Sequence, residues 1–113
     1  MQVLQSPIKI EDEHNQDILL GIVSDKYCRT ILESIMYKPK SALEISSECH
    51  IPISTVYRRV QTLHDAKMLY LSGQISGDGK KFFLYKSKVK EIQTHFNNGQ
   101  IQVEIVLNQK NWL

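Results

Sequence analysis

The stretch Ser41-Ala42-Leu43-Glu44-Ile45-Ser46-Ser47-Glu48-Cys49-His50-Ile51-Pro52-Ile53-Ser54-Thr55-Val56-Tyr57-Arg58-Arg59-Val60 decides how this chain is read. Ser41 with Glu44 three residues on is a capping-box pattern, and Ala42, Ile45 and Cys49 form one apolar helical face. Pro52 stops that helix, and Ser54 is read as the cap of a second one with Val56, Val60, Leu63 and Ala66 facing inward. Two caps so close leave room for two helical turns and a sharp corner. The segment therefore predicts a helix-turn-helix.

The elements on either side extend the pattern. Upstream, Ile18, Leu19, Ile22 and Val23 predict a short helix over 16–23. Ser24 then reads as the cap of an amphipathic helix with Tyr27, Cys28, Ile31, Leu32, Ile35 and Met36 on its stripe. That helix ends before Pro39, because the residue preceding proline disfavours the α region. Downstream of Met68 the apolar period falls from 3.6 to 2. Leu69-Tyr70-Leu71 and Phe82-Phe83-Leu84-Tyr85 predict two strands around the turn Gly77-Asp78-Gly79-Lys80. Three to four helices followed by a two-stranded wing make an α+β winged helix-turn-helix.

The last third offers two readings. Val89, Ile92 and Phe96 fit one helical face, so 88–97 is open between strand and helix. Asn98-Gly99, however, is a strong two-residue turn. Folding about it opposes Asn97 to Gln100, Phe96 to Ile101, His95 to Gln102, Thr94 to Val103, Gln93 to Glu104 and Ile92 to Ile105. One set of alternate pairs is apolar or β-branched and the other is polar, which favours an additional C-terminal β-hairpin with the apolar set inward. The organisation expected is a loose N-terminal arm over 1–15, a winged helix over 16–87, and a hairpin extension and frayed tail over 88–113. Trp112 belongs to that tail.

Composition is that of an ordinary folded protein, with 42% hydrophobic and 23% charged residues in 113, enough for one small core. No apolar run suits a membrane span, and the acidic N-terminus is no secretory signal, so a cytoplasmic protein without membrane partners is expected. Charge is unevenly spread. Residues 1–27 carry two lysines against five acids, whereas residues 38–90 carry ten lysines and arginines against four acids. That concentration suits phosphate binding or, equally, a solvated basic face.

At roughly 100° per residue, Thr55 and Arg58 share an outward face with Gln61 and Thr62. Such a helix enters the DNA major groove N-terminal end first. Arg58 is the candidate base contact, because a guanidinium grips guanine O6 and N7 with two bonds. Ser54 and Arg59 are candidate phosphate contacts, and Tyr57 suits either role. In the wing, Lys80 and Lys81 are phosphate candidates on the backbone or minor groove, with Lys86, Lys88 and Lys90 extending a wet basic face. The plainer alternatives are a solvent-facing helix and a hairpin kept soluble by its lysines.

Nothing in the chain suggests an enzyme or a cofactor: there is no phosphate-cradling glycine loop, no nucleophile elbow and no His paired with an acid at motif spacing. Cys28 and Cys49 form no CxC or CxxC pair, and His14, His50, His64 and His95 are scattered. The thiols read as structural rather than as a metal or redox site, and a small-molecule or metal effector is not expected.

The run 24–85 resembles the ArsR-type winged-helix transcription regulators, small archaeal type. The resemblance rests on Ser24-Asp25-Lys26-Tyr27-Cys28-Arg29-Thr30-Ile31-Leu32, Ala42-Leu43-Glu44-Ile45-Ser46, Ile51 through Val60, and Leu63-His64-Asp65-Ala66-Lys67-Met68-Leu69. The hairpin over 89–107 is similar to one found in archaeal members. The resemblance implies a homodimer bound to double-stranded DNA at a pseudo-palindromic site, half-sites about one helical turn apart. It places the dimer surface on the first helix and the C-terminal hairpin. Three departures stand out. His50 replaces the glycine usual in the turn and is expected at positive φ; Lys67 replaces a frequent glycine before the wing; Ser46 replaces a small alanine. The paired cysteines of metal-sensing relatives are absent. The alternative function is a winged helix used as a protein-interaction module in a transcription or processing assembly.

Overall fold

Side-chain caps delimit the first three helices. The computed structural model of the chain describes residues 6–110 and is α+β, with four helices and five strands in two antiparallel sheets among those residues. Asp12 caps α1 (Glu13–Ser24) through the Asn15 N–H, and Asp25 caps α2 (Lys26–Ser34) through the Cys28 N–H at 2.8 Å. The cap of α2 is thus Asp25 rather than Ser24, whose hydroxyl instead donates to the Gly21 carbonyl and closes α1. Ser41 and Glu44 form the expected capping box on α3 (Ala42–Cys49).

The corner after α3 bends at His50, which takes φ 55° and ψ 43°. Histidine tolerates this left-handed region better than a β-branched residue, and its N–H closes onto the Ser46 carbonyl. The Ser46 hydroxyl adds a second brace, donating to the Ile51 carbonyl at 2.6 Å. Ser46 is therefore a structural part of the turn. α4 (Ile53–Asp65) begins directly after Pro52, with no side-chain cap. The expectation that Ser54 caps it fails: Pro52 is itself the N-cap residue, at φ −54° and ψ 139°, so the helix starts two residues earlier and Ser54 lies within its first turn. Lys67 reverses the chain at φ 61° before the strands.

β2 (Leu69–Ile75) and β3 (Lys81–Ser87) form the two-stranded sheet, in register from Leu69–Ser87 to Ile75–Lys81. β4 (Val89–Asn97) and β5 (Gln100–Leu107) pair about Asn98-Gly99 in the register expected from the turn, with Asn98 and Gly99 both at positive φ. Residues 89–97 are strand, with a bend at Lys88, and none of 88–97 is helix. Two expectations change here. Ile8–Ile10, placed in a loose arm, forms β1 and pairs with Ile105 to Val103 of β5, giving the order β1-β5-β4. The apolar row is inward only at its base: Val103 is fully buried, whereas Phe96 is 74% exposed at the tip. Residues 1–5 of the expected arm, and Trp112 in the tail, lie outside the described residues.

One core joins all of this. Ile31, Ile35, Ile45, Val56, Leu63, Met68 and Val103 are buried together, so residues from 16–87 and 88–113 share one interior. Asn108 locks the end of β5 to it, its amide donating to the Met36 carbonyl at 2.6 Å and the Ser87 carbonyl at 3.0 Å.

Candidate nucleic-acid interface

α4 divides by its 3.6-residue period. Val56, Val60 and Leu63 are buried, which leaves Ser54, Tyr57, Arg58, Gln61 and Thr62 on the solvent side and Thr55 half-buried. Arg58 lies over its own helix, Nη2 reaching Thr55 Oγ1 at 3.5 Å, and among the described residues no carboxylate pairs with it. Gln61 donates to Asp65 at 2.8 Å, and the Thr62 hydroxyl donates back to the Arg58 carbonyl at 3.1 Å.

Arg59 does something else. Its Nε donates to Asp25 Oδ2 at 2.9 Å, and its guanidinium sits 5.6 Å from the centroid of the Tyr27 ring. The same Asp25 oxygen caps α2, so one carboxylate ties the start of α2 to the middle of α4. Partial burial raises the Asp25 pKa, but the Cys28 N–H and thiol and the Arg59 cation outweigh this and hold it below the usual aspartate value. Arg59, a candidate phosphate contact from the sequence, thus has contacts with Asp25 and Tyr27 within the chain, while its side chain stays 30% exposed. Burial, with the neighbouring Asp25 charge, pushes the Cys28 thiol up to about 12, so it is a protonated, packed group. Among the described residues no three His, Cys, Asp or Glu side chains come together as a metal site.

The β2–β3 tip carries Lys80 and Lys81, both exposed. The turn is held by the Ser76 hydroxyl on Asp78 and by the Gly79 N–H on the Ser76 carbonyl, with Gly79 at φ 84°. The Ser76 hydroxyl and Lys80 N–H lower the Asp78 pKa, so a carboxylate shares this tip with the two lysines. The base of the sheet is fixed against α2 and α3: Tyr85 is buried, and Lys40, just before α3, bridges to it through two backbone hydrogen bonds. Lys86 is not part of a wet basic face, since it is buried at the foot of β3. Lys88 is half-buried over the Tyr70 ring, leaving Lys90 as the exposed one of the three.

One feature went unread in the sequence. By strand alternation, Leu71, Gly73, Ile75, Phe83 and Tyr85 share one face of the β2–β3 sheet. Ile75 is 71% and Phe83 50% exposed. The alternation was legible; the lack of a covering layer was not.

Among the described residues, no helix is long and apolar enough to cross a membrane. Comparison of the chain with protein-family models, with curated proteins and with solved structures returned no match, so the case for function rests on this geometry.

Proposed function

We propose that the chain is a winged helix-turn-helix protein that binds double-stranded DNA in a sequence-specific manner and acts as a transcription regulator. The observation that carries this reading is the solvent face of α4. Ser54, Tyr57, Arg58, Gln61 and Thr62 project there, and Arg58 has no acidic partner among the described residues. In this reading α4 enters the major groove, Arg58 contacts a base edge and Ser54 lies near a phosphate at the helix start. Lys80 and Lys81 follow the flanking backbone or minor groove. Arg59 acts indirectly, holding α4 against α2 through Asp25.

A duplex selection from a random pool tests this, and an unenriched pool overturns it. Within an enriched site, Arg58→Ala is expected to cost about 1–3 kcal/mol and to relax preference at one position. Lys80→Ala is expected to weaken all duplexes alike and to flatten the salt dependence.

The exposed Ile75 and Phe83 favour one second reading, a winged helix that docks a protein partner through its hairpin. Loss of DNA binding on Arg58→Ala with no effect of Phe83→Ser supports the first reading; the reverse pattern supports the second.

A further inference from the structure

The outer half of the β2–β3 sheet presents an aromatic ring with an open side. Gly73 is the cross-strand partner of Phe83, and Leu71 and Ile75 stand diagonally on either side of it. Phe83 Cε1 lies 3.9 Å from the point a β-carbon on Gly73 would take, so the ring leans over a residue without a side chain. Tyr85 flanks it, with ring centroids 6.4 Å apart and planes tilted by 49°. The ring is thus held by its neighbours while half of its surface stays open.

Charge lies beside it. Strand alternation puts Lys81 on the face of Phe83, and Lys80 precedes it at the exposed tip. Leu71, Gly73, Ile75, Lys81, Phe83 and Tyr85 make up that face, and none of them is acidic. Asp78, the acid of the tip, already accepts from the Ser76 hydroxyl and the Lys80 N–H. A flat apolar surface next to cations suits a ligand that is itself both apolar and anionic. An unpaired nucleic-acid strand has that make-up, because its bases expose π-faces and its backbone carries phosphates. A duplex does not offer those faces, since its bases are stacked on one another. An apolar protein surface would meet the lysines as uncompensated charge.

We infer that this face of the hairpin binds an unpaired DNA strand, one base stacking on Phe83 between Leu71 and Ile75 and the flanking phosphates meeting Lys81 and Lys80. Leu71, Ile75, Phe83 and Lys81 include no side-chain acceptor for a ribose 2′-hydroxyl, so nothing on this face favours RNA. The inference uses no residue of α4 and does not rest on the duplex reading.

The test uses the full chain, titrated at low salt against a labelled oligothymidylate about 12 nucleotides long and followed by fluorescence anisotropy. Each variant is first matched to wild type by circular dichroism. Phe83→Ala is expected to weaken binding about 5- to 100-fold, the range that loss of one base stack carries. Phe83→Leu, which keeps an apolar side chain but no ring, is expected to lose as much, and Phe83→Tyr to retain affinity. Lys81→Ala is expected to weaken binding and flatten its salt dependence. Phe82, on the opposite face, is the control, and Phe82→Ala is expected to bind as wild type does. Arg58→Ala, which tests the duplex reading, is likewise expected to leave oligothymidylate binding unchanged, so either reading can fail alone. No binding at low salt overturns the inference, and so does equal binding of an abasic strand of the same length, which would leave charge as the only attraction. Full affinity in Phe83→Leu overturns it as well and assigns the face to an apolar protein partner. Tighter binding of oligouridylate overturns the assignment to DNA.

Discussion

Replacing Asp25 separates two roles that one carboxylate plays at once. Its Oδ2 accepts from the Cys28 N–H at 2.8 Å as the α2 cap and from Arg59 Nε at 2.9 Å across to α4. Loss of a side-chain cap costs about 1 kcal/mol. The ion pair is worth less, because its side chains remain 28% and 30% exposed and are screened by water, so about 0.5 kcal/mol is expected for it. Asparagine caps as well as aspartate but carries no charge. Asp25→Asn should therefore cost about 0.5 kcal/mol and Asp25→Ala about 1.5 kcal/mol. With a urea slope of about 2 kcal/mol per molar, the alanine variant unfolds about 0.7 M earlier and the asparagine variant about 0.3 M earlier. The pH dependence carries a sign. The folded pKa of Asp25 is lowered, so the stability due to its charge is present above the unfolded value and is lost as pH falls through the folded one. The gap between wild type and Asp25→Asn should thus be full at neutrality and close below about pH 4. In a double-mutant cycle, Arg59→Met added to Asp25→Asn should cost less than the sum of the two. Equal losses for Asn and Ala would refute the capping role, and full additivity with Arg59→Met would refute the pairing.

Other outcomes follow from single contacts. Asn108→Ala leaves the part-buried Met36 carbonyl and the buried Ser87 carbonyl without this donor and should cost about 2–3 kcal/mol in chemical denaturation. His50→Gly removes the steric cost of φ 55° at the end of α3 and should raise the thermal midpoint by a few degrees, corresponding to about 0.5 kcal/mol. Ile45→Ala opens a cavity beneath α3 and should cost about 2–5 kcal/mol. Cys28, buried with its thiol held protonated, should resist alkylation at pH 8 in the folded chain and react only on unfolding, as mass spectrometry of labelled peptides would show.

The division between sequence and tertiary structure follows contact range. Signals acting over three or four residues were readable: the Ser41–Glu44 capping box and the six strand pairs about Asn98-Gly99, whose register a two-residue turn imposes; the left-handed turn at His50 was expected from the family resemblance alone. The outward face of α4 was readable too, because the helical period carries Arg58 away from Val56 and Val60. What the sequence could not carry were partners far along the chain. Arg58 and Arg59 are the same residue type in adjacent positions, and only the packing of α4 on α2 brings Arg59 to Asp25, 34 residues away. Ile8–Ile10 has three residues and no turn of its own to announce a strand; β5 makes it one. Lys86 looks like its exposed neighbours until β3 is set against the core, and Asn108 is an ordinary polar residue until its amide meets Met36, 72 positions back. Local hydrogen bonds and periodicity determined the elements and the exposed side of α4. Burial, ion pairing and the uncovered face of the β2–β3 sheet were decided only when those elements packed.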